Sequence, residues 1–196
     1  MTDVRVAAAD DIDAISRTVA AAFAEDPAWS FIAGEGDDAS TAAKEAFART
    51  LAIPRVQRGT VWVTDDCSAV AMWDRCTIDG PVDDDAQERW AAFRAEVGED
   101  VWSRLDAYDH AVKMVAPPRP YWYLGVLATR PDAQGRGLAS AVLAPGLRAA
   151  AQDNWSCWLE TSTPGNKKFY AGRGFSEAVA FEVPGGPPTS WMRRKA

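Results

Sequence analysis

A glycine-containing loop carries the clearest chemical signal in the sequence. It follows one predicted strand, opens a predicted helix, and consists of Gln134, Gly135, Arg136, Gly137, Leu138, Ala139 and Ser140. A helix N-terminus offers free backbone N–H groups and about half a positive charge. Glycine allows an anion to approach the backbone closely. The loop therefore predicts a pyrophosphate-binding site.

Two other phosphate-binding motifs do not fit this loop. A dinucleotide-binding fold would need a third glycine where the chain has Ser140. A P-loop would need Gly-Lys-Ser or Gly-Lys-Thr, and the sequence contains neither.

Metal and nucleophile motifs are missing from the sequence. Cys67, Cys76 and Cys157 are widely spaced without a Cys-x-x-Cys pair, and His110 is the single histidine. A catalytic triad would have to use His110, which lies in a helical pattern with no nucleophile motif around it. The carboxylates of residues 83–85 are typical of a helix N-terminus. We therefore predict no metal site.

The elements around the loop form a strand, helix, strand unit. The strands are predicted at residues 121–129 and 156–161, and the helix begins near Leu138. Pro145 lies inside this helix and is expected to kink or split it.

The rest of the chain alternates between helices and short strands. Asp10 is a candidate cap for the first helix, which Asp26-Pro27 should end. Two helices should meet at Gly98. Further strands are predicted at residues 4–6, 60–64, 69–73, 179–183 and 190–194. We see no repeat or linker, so residues 1–196 are interpreted as one α/β domain.

Composition narrows the class of protein. The chain has 196 residues, 47% of them hydrophobic, and a formal net charge of -7. An acidic chain is a poor binder of duplex nucleic acid, which requires clustered Lys and Arg. There is no signal-peptide pattern and no long apolar run, so we expect a cytoplasmic protein without a membrane span.

Several motifs resemble the GNAT N-acetyltransferase superfamily. Gln134, Gly137 and Ala139 match its acetyl-CoA loop, in which Gln or Arg is followed by x, x, Gly, x, and Gly or Ala. The chain is more closely similar to the puromycin N-acetyltransferase subfamily. That similarity is carried by residues 59–66, 134–150 and 159–162, and by Asn166, Phe169-Tyr170 and Gly174-Phe175. Residues 74–120 match poorly.

The resemblance implies a fold and a cofactor site. The fold would be a single domain with a mixed central sheet of about six to seven strands, flanked by helices, in which a splayed strand pair holds acetyl-CoA. The backbone of Leu127, Ala128 and Thr129 would bind the pantetheine. The amides of residues 135–140 would bind the pyrophosphate, and Gln134 and Asn166 complete the predicted cofactor-binding set. Thr129 and Ala139 depart from the usual Val and Gly.

The resemblance also implies candidate catalytic residues. Tyr170 stands where the superfamily often protonates the departing sulfur, and a phenol is protonated at neutral pH. Glu160 and Asp26 lie on segments expected near the acceptor. Either carboxylate could relay a proton, bind the substrate ammonium or form a salt bridge.

Tryptophan is frequent, with nine residues in the chain. Trp90 and Trp102 fall on apolar helical stripes and are predicted core residues. Trp29, Trp73 and Trp122 are candidates for an aromatic wall around the acceptor.

The resemblance implies transfer of an acetyl group from acetyl-CoA to a primary amine of a small molecule, such as an antibiotic or an aminonucleoside-like metabolite. Three alternatives stay open. One is a protein lysine or N-terminal acetyltransferase, another a transferase that uses an aminoacyl-tRNA end as acyl donor, and the third a CoA-binding regulatory module. We expect a monomer or homodimer, with the acceptor pocket in residues 26–31 and 73–121.

Overall fold

The computed structural model describes residues 3–80 and 83–196. Within these residues the strands are β1 (Val4–Val6), β2 (Val61–Thr64), β3 (Ala69–Cys76), β4 (Tyr121–Thr129), β5 (Cys157–Thr161), β6 (Ser176–Glu182) and β7 (Pro188–Arg194). The helices are α1 (Ile12–Ala22), α2 (Pro27–Ala33), α3 (Asp38–Gln57), α4 (Ala86–Met114), α5 (Leu138–Asp153) and α6 (Pro164–Ala171).

The strands form one mixed sheet in the order β1-β2-β3-β4-β5-β7-β6. Only β4 and β5 run parallel, and every other neighbouring pair is antiparallel. Helices cover both faces, with one apolar cluster under α1–α4 and another under α5 and α6. The predicted α/β class and the seven-stranded mixed sheet are confirmed.

The parallel pair separates soon after it begins. β4 and β5 pair only at Trp122 with Cys157 and at Tyr123 with Trp158. On the other edge of β4 the register with β3 shifts at Gly125, which has no partner there. A bulge of this kind bends a strand. Beyond it, β4 and β5 diverge and leave a gap between them, as predicted.

Helix α5 packs unusually close to the sheet. Trp73 on β3 is fully buried, and a Cβ added at Gly146 would lie 2.3 Å from its indole ring. Glycine is therefore required at this position. Val142 and Leu143 are also buried against the sheet. Helix α5 continues through Pro145, so of the two expected outcomes, a kink or a split, the split is wrong.

Two predicted helix ends differ in the structure. Asp10 lies inside a short 3₁₀ turn, and Asp11 instead accepts a hydrogen bond from Ala8 N (2.7 Å). Asp26 does follow α1, but it begins a new helix, because its carboxylate caps α2. The predicted break at Gly98 is confirmed, since φ 81° and ψ 172° interrupt α4 there. No helix in the described ranges is long and apolar enough to cross a membrane.

Candidate active site

The gap between the diverging strands holds a cavity of about 270 Å³, called here the strand cavity. Its walls come from β4, β5, α5, α6 and the end of α1 with the start of α2. Among its lining residues are Leu127, Ala128, Thr129, Gln134, Ala139, Asn166 and Tyr170. Residues predicted from three separate motifs therefore meet around one space.

The N-terminus of α5 opens beside this cavity without a side-chain cap. Gly135 and Gly137 have φ values of 76° and 79°, and nothing lies within 4 Å of a Cβ built at either. The helix ladder begins with Ala141 N donating to Gly137 O (3.1 Å). The preceding N–H groups are thus free for an anion, and this geometry fits a pyrophosphate.

Two loop side chains hold the loop in place. Gln134 Nε2 donates to Thr129 O (3.2 Å), and Arg136 Nη2 donates to Asp132 O (2.9 Å). These bonds fix the loop against the end of β4.

Arg173 is a further residue at the α5 N-terminus that the sequence analysis did not identify. Its guanidinium donates to Ser140 Oγ and to Phe169 O (2.8 Å), and it stacks over the Phe169 ring at 3.4 Å. It adds a positive charge to the first turn of α5. In the sequence, Arg173 is marked only by its position directly before Gly174, which belongs to one of the family motifs. Nothing in the sequence indicates that Arg173 contacts α5.

Tyr170 lies on α6 with its ring packed edge-on against Phe169 and Phe175. It is 8% exposed and lines the strand cavity. Burial raises the pKa of Tyr170, so its hydroxyl is protonated at neutral pH. Thr163 caps this helix, and its side chain accepts a hydrogen bond from Asn166 N (3.2 Å).

Asp26 also lines the strand cavity, but one of its oxygens is already engaged. Oδ1 accepts hydrogen bonds from Ala28 N (3.0 Å) and Trp29 N (3.1 Å) at the start of α2. Burial raises the pKa of Asp26, while these two hydrogen bonds oppose that shift. The residue thus positions α2 at the edge of the site.

A second cavity of about 660 Å³, called here the aromatic cavity, lies between α2, α3, α4 and the sheet. The two cavities share the lining residues Ala28, Trp29, Tyr108, Gly125 and Glu160. They therefore meet at this point, beside the splayed strands.

Glu160 stands at that junction in an unusual electrostatic environment. Burial raises its pKa to about 7, although the Tyr123 hydroxyl, which donates to Oε1 at 2.5 Å, opposes the rise. The other oxygen, Oε2, is shielded from solvent and has no hydrogen-bond partner in the described chain. A carboxyl group that titrates near neutral pH can accept and release a proton under physiological conditions.

Comparison with known proteins gives the family. Residues 65–175, more than half of the chain, match the acetyltransferase (GNAT) family model. The chain belongs to the GNAT acetyltransferase family. Enzymes of this family generally use acetyl-CoA. The closer likeness to puromycin N-acetyltransferases stays a prediction.

Solved GNAT structures share the fold over the whole chain. One, described as histone acetyltransferase HPA2 and related acetyltransferase from Corynebacterium glutamicum, has a TM-score of 0.70 and 23% identity, covering 100% of this chain and 98% of that one. The Drosophila melanogaster polyamine N-acetyltransferase has a TM-score of 0.60 and 12% identity, covering 100% of both chains. Arylalkylamine N-acetyltransferase 2 from Aedes aegypti has a TM-score of 0.65 and 11% identity, covering 98% of both chains.

The tryptophans of this GNAT chain are distributed differently from the prediction. Trp29 lines both cavities. Trp73 and Trp122 instead pack together under α5 with ring centroids 6.3 Å apart, and neither lines either cavity. Their side chains project to the α5 face of the sheet, so they do not form an acceptor wall. Trp90 and Trp102, predicted to be core, line the aromatic cavity.

Tyr108, Tyr123 and Arg55 were not identified as site residues from the sequence. Tyr108 lines both cavities, while Tyr123 and Arg55 line the aromatic cavity next to Glu160. No motif marks them, because their proximity depends on the packing of α3 and α4 onto β4. Across residues 3–80 and 83–196, no group of three or more His, Cys, Asp or Glu is arranged to hold a metal ion.

Proposed function

We propose that this GNAT enzyme transfers the acetyl group of acetyl-CoA to a primary amine of a small molecule. The observation that carries the proposal is Glu160, which lines both the strand cavity and the aromatic cavity and whose pKa is raised by burial to about 7. A base at this junction would lie between a donor on one side and an amine on the other. The sequence resemblance favours an antibiotic or aminonucleoside-like acceptor.

The strand cavity fits the donor. The free N–H groups at the start of α5 would hold the pyrophosphate, and Arg173 would add charge to the same site. The unpaired edge of β4 at Leu127, Ala128 and Thr129 would hydrogen-bond the pantetheine.

The chain's own groups can manage the protons of the reaction. Glu160 would accept a proton from the substrate ammonium, which leaves a neutral amine as nucleophile. The new N–C bond would form as the C–S bond of the thioester breaks. Tyr170 would donate its phenolic proton to the departing sulfur. The second amine proton would leave the product nitrogen and, through solvent, return Tyr170 to its protonated form, while Glu160 would release the first proton to solvent. Holding the two reactants in line would supply much of the rate acceleration.

The shape of the aromatic cavity favours a small acceptor over a protein chain. Its lining comes from α2, α3, α4, β3, β4 and β5, which surround the space on several sides. A lysine-containing segment would need an open groove along the surface, whereas a small amine can enter such a cavity.

Turnover of an amine panel against a peptide panel tests the proposal. The enzyme would be incubated with acetyl-CoA and each amine, while thiol release is followed and the acetylated product is identified by mass spectrometry. We expect acetylation of at least one small primary amine, and its loss in Glu160→Gln. Turnover of lysine peptides alone, or of no amine at all, would contradict the proposal.

A further inference from the structure

The aromatic cavity is lined by rings from four elements: Trp29, Phe47, Trp90, Trp102, Tyr108 and Tyr123. Four of them form a continuous series, with ring centroids 4.8 Å apart for Trp29 and Phe47, 6.3 Å for Phe47 and Trp90, and 6.3 Å for Trp90 and Trp102. Trp90 and Trp102 are only partly buried, even though both are large and apolar. Part of their surface therefore faces the cavity rather than the core, and it offers a flat apolar contact for a ligand.

Two of the carboxylates around the cavity are paired with Arg or Lys side chains of the protein. Asp74 accepts from Arg55 Nη2 (2.5 Å) and Arg58 Nη2 (2.7 Å). Asp109 pairs with Lys113 on the same helix.

Asp106 is exposed on α4. The Arg94 guanidinium is already bonded to Glu99, with two N–O distances of 2.7 Å. Of the four carboxylates that line the cavity, Glu160 alone has an oxygen that is buried without a partner among the described residues. The lining thus offers one strong position for a ligand cation, at its inner end.

From this distribution we infer that the acceptor is an arylalkylamine, an amine with one cationic nitrogen and an aromatic body. This inference rests on the proposed acetyl transfer. The ammonium would approach Glu160, and the ring would pack among Trp29, Trp90 and Trp102. A second ammonium of a polyamine would find Lys113 and one exposed carboxylate, Asp106, in the lining, but no buried carboxylate other than Glu160 among the described residues.

Two of the rings lie in the segment that the sequence analysis assigned to the acceptor pocket. Trp90 and Trp102 both fall within residues 73–121. Specificity for the aromatic body would therefore depend on a segment outside the cofactor loop.

Steady-state rates on the purified enzyme test the inference, with acetyl-CoA at saturation. The acceptors are 2-phenylethylamine, tryptamine, n-butylamine and spermidine. We expect kcat/KM for the two aromatic amines to exceed that of the other two by about tenfold or more, since only the aromatic amines have a ring to bury among the cavity's rings.

A variant pair assigns the preference to the cavity wall. Trp102→Ala should raise the KM for 2-phenylethylamine about tenfold and leave the KM for acetyl-CoA unchanged. The matched control is Trp155→Ala, because Trp155 is also half-buried and stacks on a guanidinium, that of Arg75 at 4.5 Å, but lines neither cavity. Calorimetric titration of 2-phenylethylamine into the two variants gives a readout independent of turnover.

The outcomes distinguish failure of this inference from failure of the proposed acetyl transfer. Acetylation of n-butylamine or spermidine as fast as of the aromatic amines would overturn the inference and keep the acetyltransferase. Failure to acetylate any amine would overturn both. If Trp102→Ala does not fold, the wild-type rate comparison and the same measurements on Trp102→Leu decide the matter.

Discussion

Replacing Glu160 with glutamine should make the protein more stable, by an amount that grows with pH. In the folded chain the pKa of Glu160 is raised to about 7 by burial, whereas the ordinary value is 4.5. The substitution keeps an oxygen that can accept the Tyr123 hydroxyl, and it replaces the unpartnered Oε2 with an uncharged NH2 group.

The direction follows from the order of the two pKa values. Below about pH 4.5 the carboxyl group is protonated in both states, so ionisation adds no cost to folding. Between about 4.5 and 7 the unfolded chain ionises while the folded chain retains the proton, so wild-type stability falls as pH rises. Above about 7 the loss is complete, and it amounts to about 3 kcal/mol at about 1.36 kcal/mol per pH unit.

Urea unfolding at about pH 5 and about pH 8 measures this difference. The stability gain of Glu160→Gln over wild type should be about 2.5 kcal/mol larger at the higher pH. Glu182→Gln is the matched control, since Glu182 is also a strand glutamate but is exposed on β6. A gain that is independent of pH, or equal to that of the control, would refute the claim that burial disfavours the Glu160 carboxylate.

Two further predictions concern the donor side of the site. Gly137→Glu should abolish acetyl-CoA binding in a calorimetric titration, because a carboxylate would lie at the α5 N-terminus. The control is Gly59→Glu, at a glycine of similar φ (68°) and equal open space, which should bind acetyl-CoA as wild type does. Equal affinity of the two variants for acetyl-CoA would reject the site. Tyr170→Phe should lower turnover by roughly 10²-fold with little change in acetyl-CoA affinity. Tyr121→Phe, which changes a buried tyrosine outside both cavities, should leave turnover unchanged. Unimpaired turnover by Tyr170→Phe would show that Tyr170 is not the proton donor.

The cofactor side could be predicted from the sequence because its determinants are local. Gly135 and Gly137 need positive φ, and the helix that follows supplies the N–H groups, so a few consecutive residues define the geometry. The strand, helix, strand unit could be identified in the same way, from contiguous patterns on either side of the loop.

The acceptor side could be predicted only in part, because it is assembled from distant segments. Trp29 lies on α2, Trp102 on α4 and Glu160 on β5, and only tertiary packing brings them together. Periodicity assigned Trp102 to the core, whereas Trp73, at the end of a strand, was a candidate for the acceptor wall. Periodicity does not show whether the space beside the ring is filled, as it is for Trp73 under Gly146, or left open, as it is for Trp102.

The central claim is that Glu160 acts as a base in acetyl transfer to an amine, and the pH dependence of kcat/KM tests it most directly. With the best amine of the panel, the wild-type value should rise with pH and level off near pH 7, where Glu160 becomes ionised. Glu160→Gln should show a much lower kcat/KM that does not rise with pH in this range. A Glu160→Gln profile that matches wild type in both rate and shape would contradict the account.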